Sequence, residues 1–399
     1  MNKSNTVKFP TIRFLNKPIL LLTLIFAVSG AFLILDASSI SSVLVYGFDT
    51  PYYYFTRQLI FIGLAQAASA VIIKIPTKNY KLISILLIAF FLGALLIAYI
   101  KYSLVSTSVN EVTLSLFGGR LQPAEFLKVF LIMYMGAYYG SWANKKNHGK
   151  YSFIVPIIPC VIAAGLILLG GDFGSAAIMV ALYALVFISV PSKEKIMVIL
   201  KYIACGGMIV AILLLKFGYL IIPQSVLESD YRLNRFIYTN PCDRYEENSG
   251  YQVCNGYIAM DNGGWGGVGI GESVQKYMYL PASHTDFIFP IFVEEFGVFW
   301  AVVVIIFYAV LIFLTFRVAL RTKSLQNSII CYGIAIYVML HIFVNLGGVL
   351  GVIPLTGVPL PFFSYGGSFC ITLICSFAVV QRINIENELE KVIAKQKGE

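Results

Sequence analysis

Ten blocks of apolar residues fill most of this chain, and most of them reach the 18 or so residues that cross a bilayer. They run at 18–36, 58–74, 80–99, 124–143, 152–169, 174–190, 196–222, 286–316, 327–350 and 363–381. Backbone placed in hydrocarbon must satisfy its own hydrogen bonds, so blocks of this kind fold as helices. Only 12% of the 399 residues are charged, against roughly 25% in a soluble domain. The expected fold is an all-α polytopic membrane protein of about ten transmembrane helices. It forms a single integral-membrane domain over residues 1–399, with no room for a soluble domain of any size.

The formal charge of +9 reads as topology. With both termini placed in the cytoplasm, 20 of the 29 Lys and Arg fall in cytoplasmic segments, and the other 9 fall outside or within spans. That asymmetry accounts for the basic excess without a nucleic-acid partner. The N-terminal apolar run is too long for the h-region of a secretory signal, so it reads as an uncleaved first span. Residues 382–399 are a charged cytoplasmic tail, able to form a short helix. Residues 223–285, between spans seven and eight, form the one large extracytoplasmic loop, polar at first and then Gly-rich at "DNGGWGGVGIGES". Its "GVGIG" lacks the strand, helix and βαβ unit of a dinucleotide site. Long loops in compact proteins tend to be functional or disordered, and this one ends in a functional-looking motif. Of seven Cys, five lie within spans and read as small core hydrophobes. Cys242 and Cys254 lie in the outer loop, either as two free thiols or as a disulfide, which would contribute about 3 kcal/mol to ordering it.

Charge inside the apolar blocks needs a partner or a task, since it costs roughly 2.5–3.5 kcal/mol at the bilayer centre. Glu125 and Lys128 in "LQPAEFLKVFLIMY" are three apart and share a helix face. They read as a self-neutralising pair or as the lining of a polar cavity open to the outside. Asp172 sits in a tight turn, as a helix cap or a cavity residue. Asp286 follows His284 and Thr285 at the outer mouth of span eight, where a carboxylate can act as general base on a lipid-borne hydroxyl. Glu294 and Glu295 lie about two turns deeper and are expected to bond neighbouring helices. His341 and Asn345 are one turn apart on span nine, and "GVIPLTGVPLPFFSYGGSF" after it reads as a re-entrant outer loop. A tyrosine run before Arg57 reads as an interfacial aromatic belt.

Three stretches in order, "LQPAEFLK", "GYQVCNGYIAMDNGGWGGVGIGESVQKYMYLPASHTDFIFPIFVEEFG" and "IPLTGVPLPFFSYGGS", resemble the SEDS family (shape, elongation, division and sporulation), which includes FtsW, RodA and SpoVE. The resemblance runs through nearly the whole chain, and "SVQK" before "HTDFIF" is closer to the FtsW and SpoVE branch. It departs at Gly170-Gly171, where the family has Gln-Pro before the Asp, at Pro281-Ala282-Ser283-His284 in place of "PEAH", and at His341, where Gln is common.

The resemblance implies a peptidoglycan glycosyltransferase of the bacterial cytoplasmic membrane, its active site facing outside. Such enzymes polymerise lipid II into β-1,4-linked strands with a class B penicillin-binding protein as transpeptidase, among other division or elongation proteins. Carried onto this chain, the catalytic residues are Asp286, Lys128 and Glu125. Arg57, Arg120 and Lys276 are outer-side cations that read either as contacts for the pyrophosphate or as lipid headgroup anchors, and His284 and Ser364 are further candidate substrate contacts. No cofactor is required by the sequence. A divalent cation, Mg or Mn, is compatible with pyrophosphate departure, although no metal-ligand spacing is present. The rival readings are a transporter or flippase of lipid-linked precursors and a non-catalytic division scaffold.

Overall fold

The computed structural model describes residues 11–44, 47–105, 114–116, 119–143, 152–192, 194–221, 240–245, 248–281 and 283–396. Eleven α-helices appear among them: α1 (Lys17–Leu44), α2 (Tyr53–Ile72), α3 (Tyr80–Val105), α4 (Pro123–Ala143), α5 (Ile157–Leu169), α6 (Phe173–Ser189), α7 (Lys195–Ile221), α8 (Asn248–Gly263), α9 (Ile288–Arg321), α10 (Leu325–Val349) and α11 (Gly367–Gln396). Ten coincide with the ten apolar blocks, and eight of these are long and apolar enough to cross a membrane. α6 is shorter, and α4 carries the Glu125–Lys128 pair.

α4, α10 and α11 form the buried centre, whereas α7 buries nothing of its apolar window and packs mainly along α6. α4 and α10 approach closely because small residues line their crossing. A Cβ on Gly136 would come within 2.5 Å of Ile330, and one on Gly140 within 2.7 Å of Gln326. Without a hydrophobic force between helices in lipid, such close packing is what holds them together.

The two ends of the bundle differ. At one, Asn16 and Gln381 exchange hydrogen bonds of 2.8 and 2.9 Å, and Asn384 donates to the Phe14 carbonyl at 2.9 Å. Glu386 accepts from the Thr77 amide at 3.0 Å, and Arg382 reaches both Glu386 and the Ile73 carbonyl. The segment expected as a tail with a short helix is thus the continuation of α11, and its residues 381–387 dock onto both the α1 start and the α2–α3 turn. This is the terminal end.

The opposite, loop end departs from the expectation of plain loops in three places. Residues 114–116 and 119–121 form a short antiparallel hairpin (β1, β2), with Ser115 opposite Arg120. α8 is a full helix inside the long loop, and a disulfide joins its Cys254 to Cys242. α9 breaks at Gly297 (φ 85°, ψ 168°). The break is filled by the Gly-rich loop: Val298 N donates to Gly264 O at 2.9 Å, and Val268 N to Glu294 O at 2.9 Å. Backbone amides and carbonyls freed at the break are therefore satisfied within the protein, as an apolar surround demands. Residues 350–366 are irregular, and their stretch from Val358 to Ser364 is largely buried, with the Phe362 carbonyl against Gly30 of α1.

Candidate functional site

The segment from Ser283 to Asp286 is held by its own backbone. Ser283 Oγ donates to the Ala37 carbonyl of α1 at 3.1 Å. The carbonyl of His284 accepts from Tyr365 N at 2.9 Å, that of Thr285 from Ser364 Oγ at 2.7 Å, and that of Asp286 from Asn345 Nδ2 at 3.0 Å. Ser364 Oγ also accepts from Leu360 N at 2.7 Å, and Asn345 also donates to Val358 O at 2.8 Å. Ser364 therefore acts as a brace between the 350–366 segment and the Asp286 turn. The N-cap residue of α9 is Phe287, and Asp286 precedes it. Asp286 is half-buried.

Glu125 and Lys128 of α4 meet α10 at His341, one helical turn from Asn345. Their side chains pair at 2.7 Å, 2% and 1% exposed. Lys128 Nζ lies 3.4 Å from His341 Nε2, and Tyr337 OH lies 3.4 Å from the other Glu125 oxygen. Tyr183 donates to the Lys128 carbonyl at 2.7 Å, and His341 stacks on Phe369 with centroids 4.6 Å apart. His341 and Asn345 are four residues apart, about 6 Å along the helix. One edge of α10 thus carries the buried ion pair at one level and the backbone of Asp286 at the next.

Arg57 joins the same corner. Its guanidinium lies 4.5 Å over the Tyr53 ring and hydrogen-bonds Tyr365, whose amide holds His284. Tyr54 packs on both His284 (4.4 Å) and Tyr365 (4.8 Å). Burial pushes His284 down to about 4, so it is neutral at pH 7. Asp172 caps α6 by accepting from Ser175 N at 2.9 Å, and it receives Gln122 Nε2 at 3.3 Å. Gln122 N in turn donates to Ser368 Oγ at 2.9 Å. Through Gln122 the N-terminal ends of α4, α6 and α11 meet, three positive dipole ends on one side of the site.

Lys276 is not in this corner. It is 3% exposed and bonds Asp36 of α1 and Glu295 of α9, each at 2.8 Å. Burial disfavours its charge, but the two carboxylate hydrogen bonds outweigh that and raise it above the usual lysine value. Glu294 and Glu295 serve mainly the Gly-rich loop rather than neighbouring helices. Glu294 accepts from the Ser273 hydroxyl, the Val274 and Gln275 amides at 3.3 Å each, and Asn262 of α8 at 3.2 Å. The side chain of Arg120 lies outside the described residues.

The sequence reading leaves out Tyr337, Tyr365, Gln122 and Asp36. His341 and Asn345 were visible as polar residues one turn apart in an apolar helix, but not as the link between the ion pair and Asp286.

Among known proteins, the family model for FtsW, RodA and SpoVE, described as cell cycle protein, matches residues 16–389. A protein of Bacillus subtilis (strain 168) named Probable peptidoglycan glycosyltransferase FtsW is 33% identical over 381 residues, spanning 92% of this chain and 91% of its own. A chain from a structural study of how a peptidoglycan synthase complex coordinates polymerization and crosslinking superimposes with a TM-score of 0.67 at 20% identity, covering 94% of this chain and 98% of that one. The crystal structure of the rod shape determining protein RodA of Thermus thermophilus gives 0.62 at 18% identity, covering 93% and 96%.

Proposed function

The chain belongs to the family of cell cycle proteins that comprises FtsW, RodA and SpoVE, and we infer from that membership that it is a peptidoglycan glycosyltransferase. Its substrate on this reading is lipid II, the disaccharide peptide carried on a lipid pyrophosphate, and its product is the β-1,4-linked glycan strand. The observation that carries the assignment of the site is the backbone clamp on residues 283–286, which fixes Asp286 one turn of α10 away from a fully buried Glu125–Lys128 pair.

The reaction is one inverting displacement. The Asp286 carboxylate takes the proton of the acceptor 4-hydroxyl as that oxygen attacks the donor anomeric carbon. The α-bond from that carbon to the lipid pyrophosphate breaks, and the β-bond forms. Negative charge grows on the departing pyrophosphate, and preorganised positive groups lower its energy without reorganising. Lys128, held by Glu125 and His341, supplies such a field. The convergent N-termini of α4, α6 and α11 and the Arg57 guanidinium add to it. A divalent cation, magnesium or manganese, would arrive carried by the pyrophosphate, because among the described residues no group of three or more His, Cys, Asp or Glu is placed to hold one.

On this reading the loop end lies at the outer face of the cytoplasmic membrane and the Lys- and Arg-rich terminal end in the cytoplasm, and the charge asymmetry supports that orientation. A transpeptidase of the class B penicillin-binding type is the fitting partner, since crosslinking must follow polymerisation. The purified chain, given lipid II in detergent with its transpeptidase, is expected to yield glycan strands longer than the disaccharide. Translocation of lipid II in vesicles without any strand formation would instead assign it to transport.

A further inference from the structure

A cavity of about 430 Å³ opens at the terminal end, on the opposite side of the bundle from the Asp286 site. Its walls are the start of α1, the last turns of α9 and the α11 extension. Four cations line it: Arg13 and Lys17 from the first side, Arg317 and Arg321 from the second. Among the described residues, none of the four meets a carboxylate within ion-pair distance. Glu388, the one acid in the lining, is paired with Lys391 at 2.6 Å. Residues 1–10, which precede this wall, contain two lysines and no acid. Two of the three walls, the start of α1 and the α11 extension, are tied together by the bonds between Asn16 and Gln381 and between Asn384 and Phe14.

Four like charges around one concavity repel each other unless an anion joins them. The depth of the cavity decides which anion. Lys17 is the first residue of α1 and Arg321 the last of α9, so the cations stand where two membrane-length helices leave the hydrocarbon. Leu314 and Val318 form an apolar part of the wall, and the flanks of the same helices toward the membrane centre are apolar and exposed at Leu21, Val310 and Phe313. A ligand that fits must carry phosphate at headgroup depth and hydrocarbon beside it. Basic pockets between membrane helices take phosphorylated lipid headgroups for this reason.

We propose that this cavity is a binding site for the phosphate headgroup of an anionic phospholipid, whose acyl chains lie along the exposed flanks of α1 and α9. The proposal is independent of the polymerase reading, because it concerns binding at the opposite end of the molecule.

Native mass spectrometry of the full, delipidated chain supplied with equal amounts of phosphatidylglycerol and phosphatidylcholine of matched chains tests it. Phosphatidylglycerol is expected to remain bound in preference. Arg317→Gln and Arg321→Gln should each weaken that preference about fivefold, while Lys74→Gln, at the same end but outside the cavity, should leave it unchanged. All three positions are on the surface, and a thermal melt in detergent verifies that each variant is folded. Equal retention of phosphatidylcholine would overturn the proposal. So would an equal loss in Lys74→Gln, which would reduce the effect to the general attraction of a basic membrane face. Displacement of the lipid by an equal concentration of glycerol 3-phosphate would assign the cavity to a soluble phosphate compound instead.

Discussion

Several charges in this protein stand where the bilayer makes them expensive, and those that are fully buried have partners. Lys128 and Glu125 are buried together with His341 and Tyr337. Removing one partner of a buried ion pair leaves an uncompensated charge, which costs about 3–5 kcal/mol, whereas removing both costs far less. Lys128→Met should therefore unfold at markedly lower temperature in detergent, and Glu125→Gln combined with Lys128→Met should recover most of that loss. Additive losses in the double variant would show that the two side chains do not act as a pair. His284 gives a pH dependence whose sign follows from burial. Its folded value near 4 lies below the unfolded 6.5, so its contribution to stability is fully present above pH 6.5 and is lost as pH falls toward 4. The span of that loss is roughly 3 kcal/mol. The wild-type melting temperature should drop over that window, and His284→Gln should flatten the drop. These charged positions were legible in sequence because ionisable residues stand out in apolar blocks. The environment of Lys276 was not, because its partner Asp36 lies 240 residues away and looks like an ordinary helix end.

At the scale of elements, the ten apolar blocks were readable as helices from length and hydropathy, since an apolar run of that length satisfies its own backbone in lipid as a helix, and eight of the ten are long and apolar enough to cross a membrane. The elements missed are those held by tertiary bonds rather than by composition. α8 is a polar, Gly-containing helix packed on α9. The break at Gly297 exists because the Gly-rich loop supplies its hydrogen bonds, and a Cβ on Gly267 would come within 2.1 Å of the Glu295 carbonyl oxygen. That loop bears on the site through Lys276, which ties it to α1 and α9, while Ser283 ties the following turn to Ala37, the residue next to Asp36. Both ends of the stretch 276–283 are thus stapled to one turn of α1, three residues before Asp286. Lys276→Met is expected to lower kcat roughly ten- to a hundredfold with little change in the KM for lipid II, since misplacement by about 1 Å has costs of that order. The charge swap Asp36→Lys with Lys276→Asp should restore part of the rate. A rise in KM that the swap does not repair would instead mean that Lys276 grips the pyrophosphate, as the sequence alone suggests.

For the whole molecule, the two ends divide the work. The terminal end is cross-tied by α11, whose buried Gln381, Asn384 and Asn387 continue the bundle where composition suggests a mere tail. The loop end gathers the 283–286 turn, the 350–366 segment and the end of α10, with half-buried Asp286 in that turn, and Gln122 joins the starts of α4, α6 and α11. This gathering depends on contacts between segments far apart in sequence, such as Ser364 with Thr285 and Asn345 with Asp286, and no local pattern announces them. The central claim is that this carboxylate removes the acceptor proton. The most direct test is the rate of lipid II polymerisation by the purified complex with Asp286→Asn, which keeps the shape of the side chain and its clamped backbone while removing the base. The predicted result is a loss of at least about a hundredfold with an unchanged melting temperature and unchanged lipid II binding. Polymerisation at the wild-type rate by that variant would contradict the account.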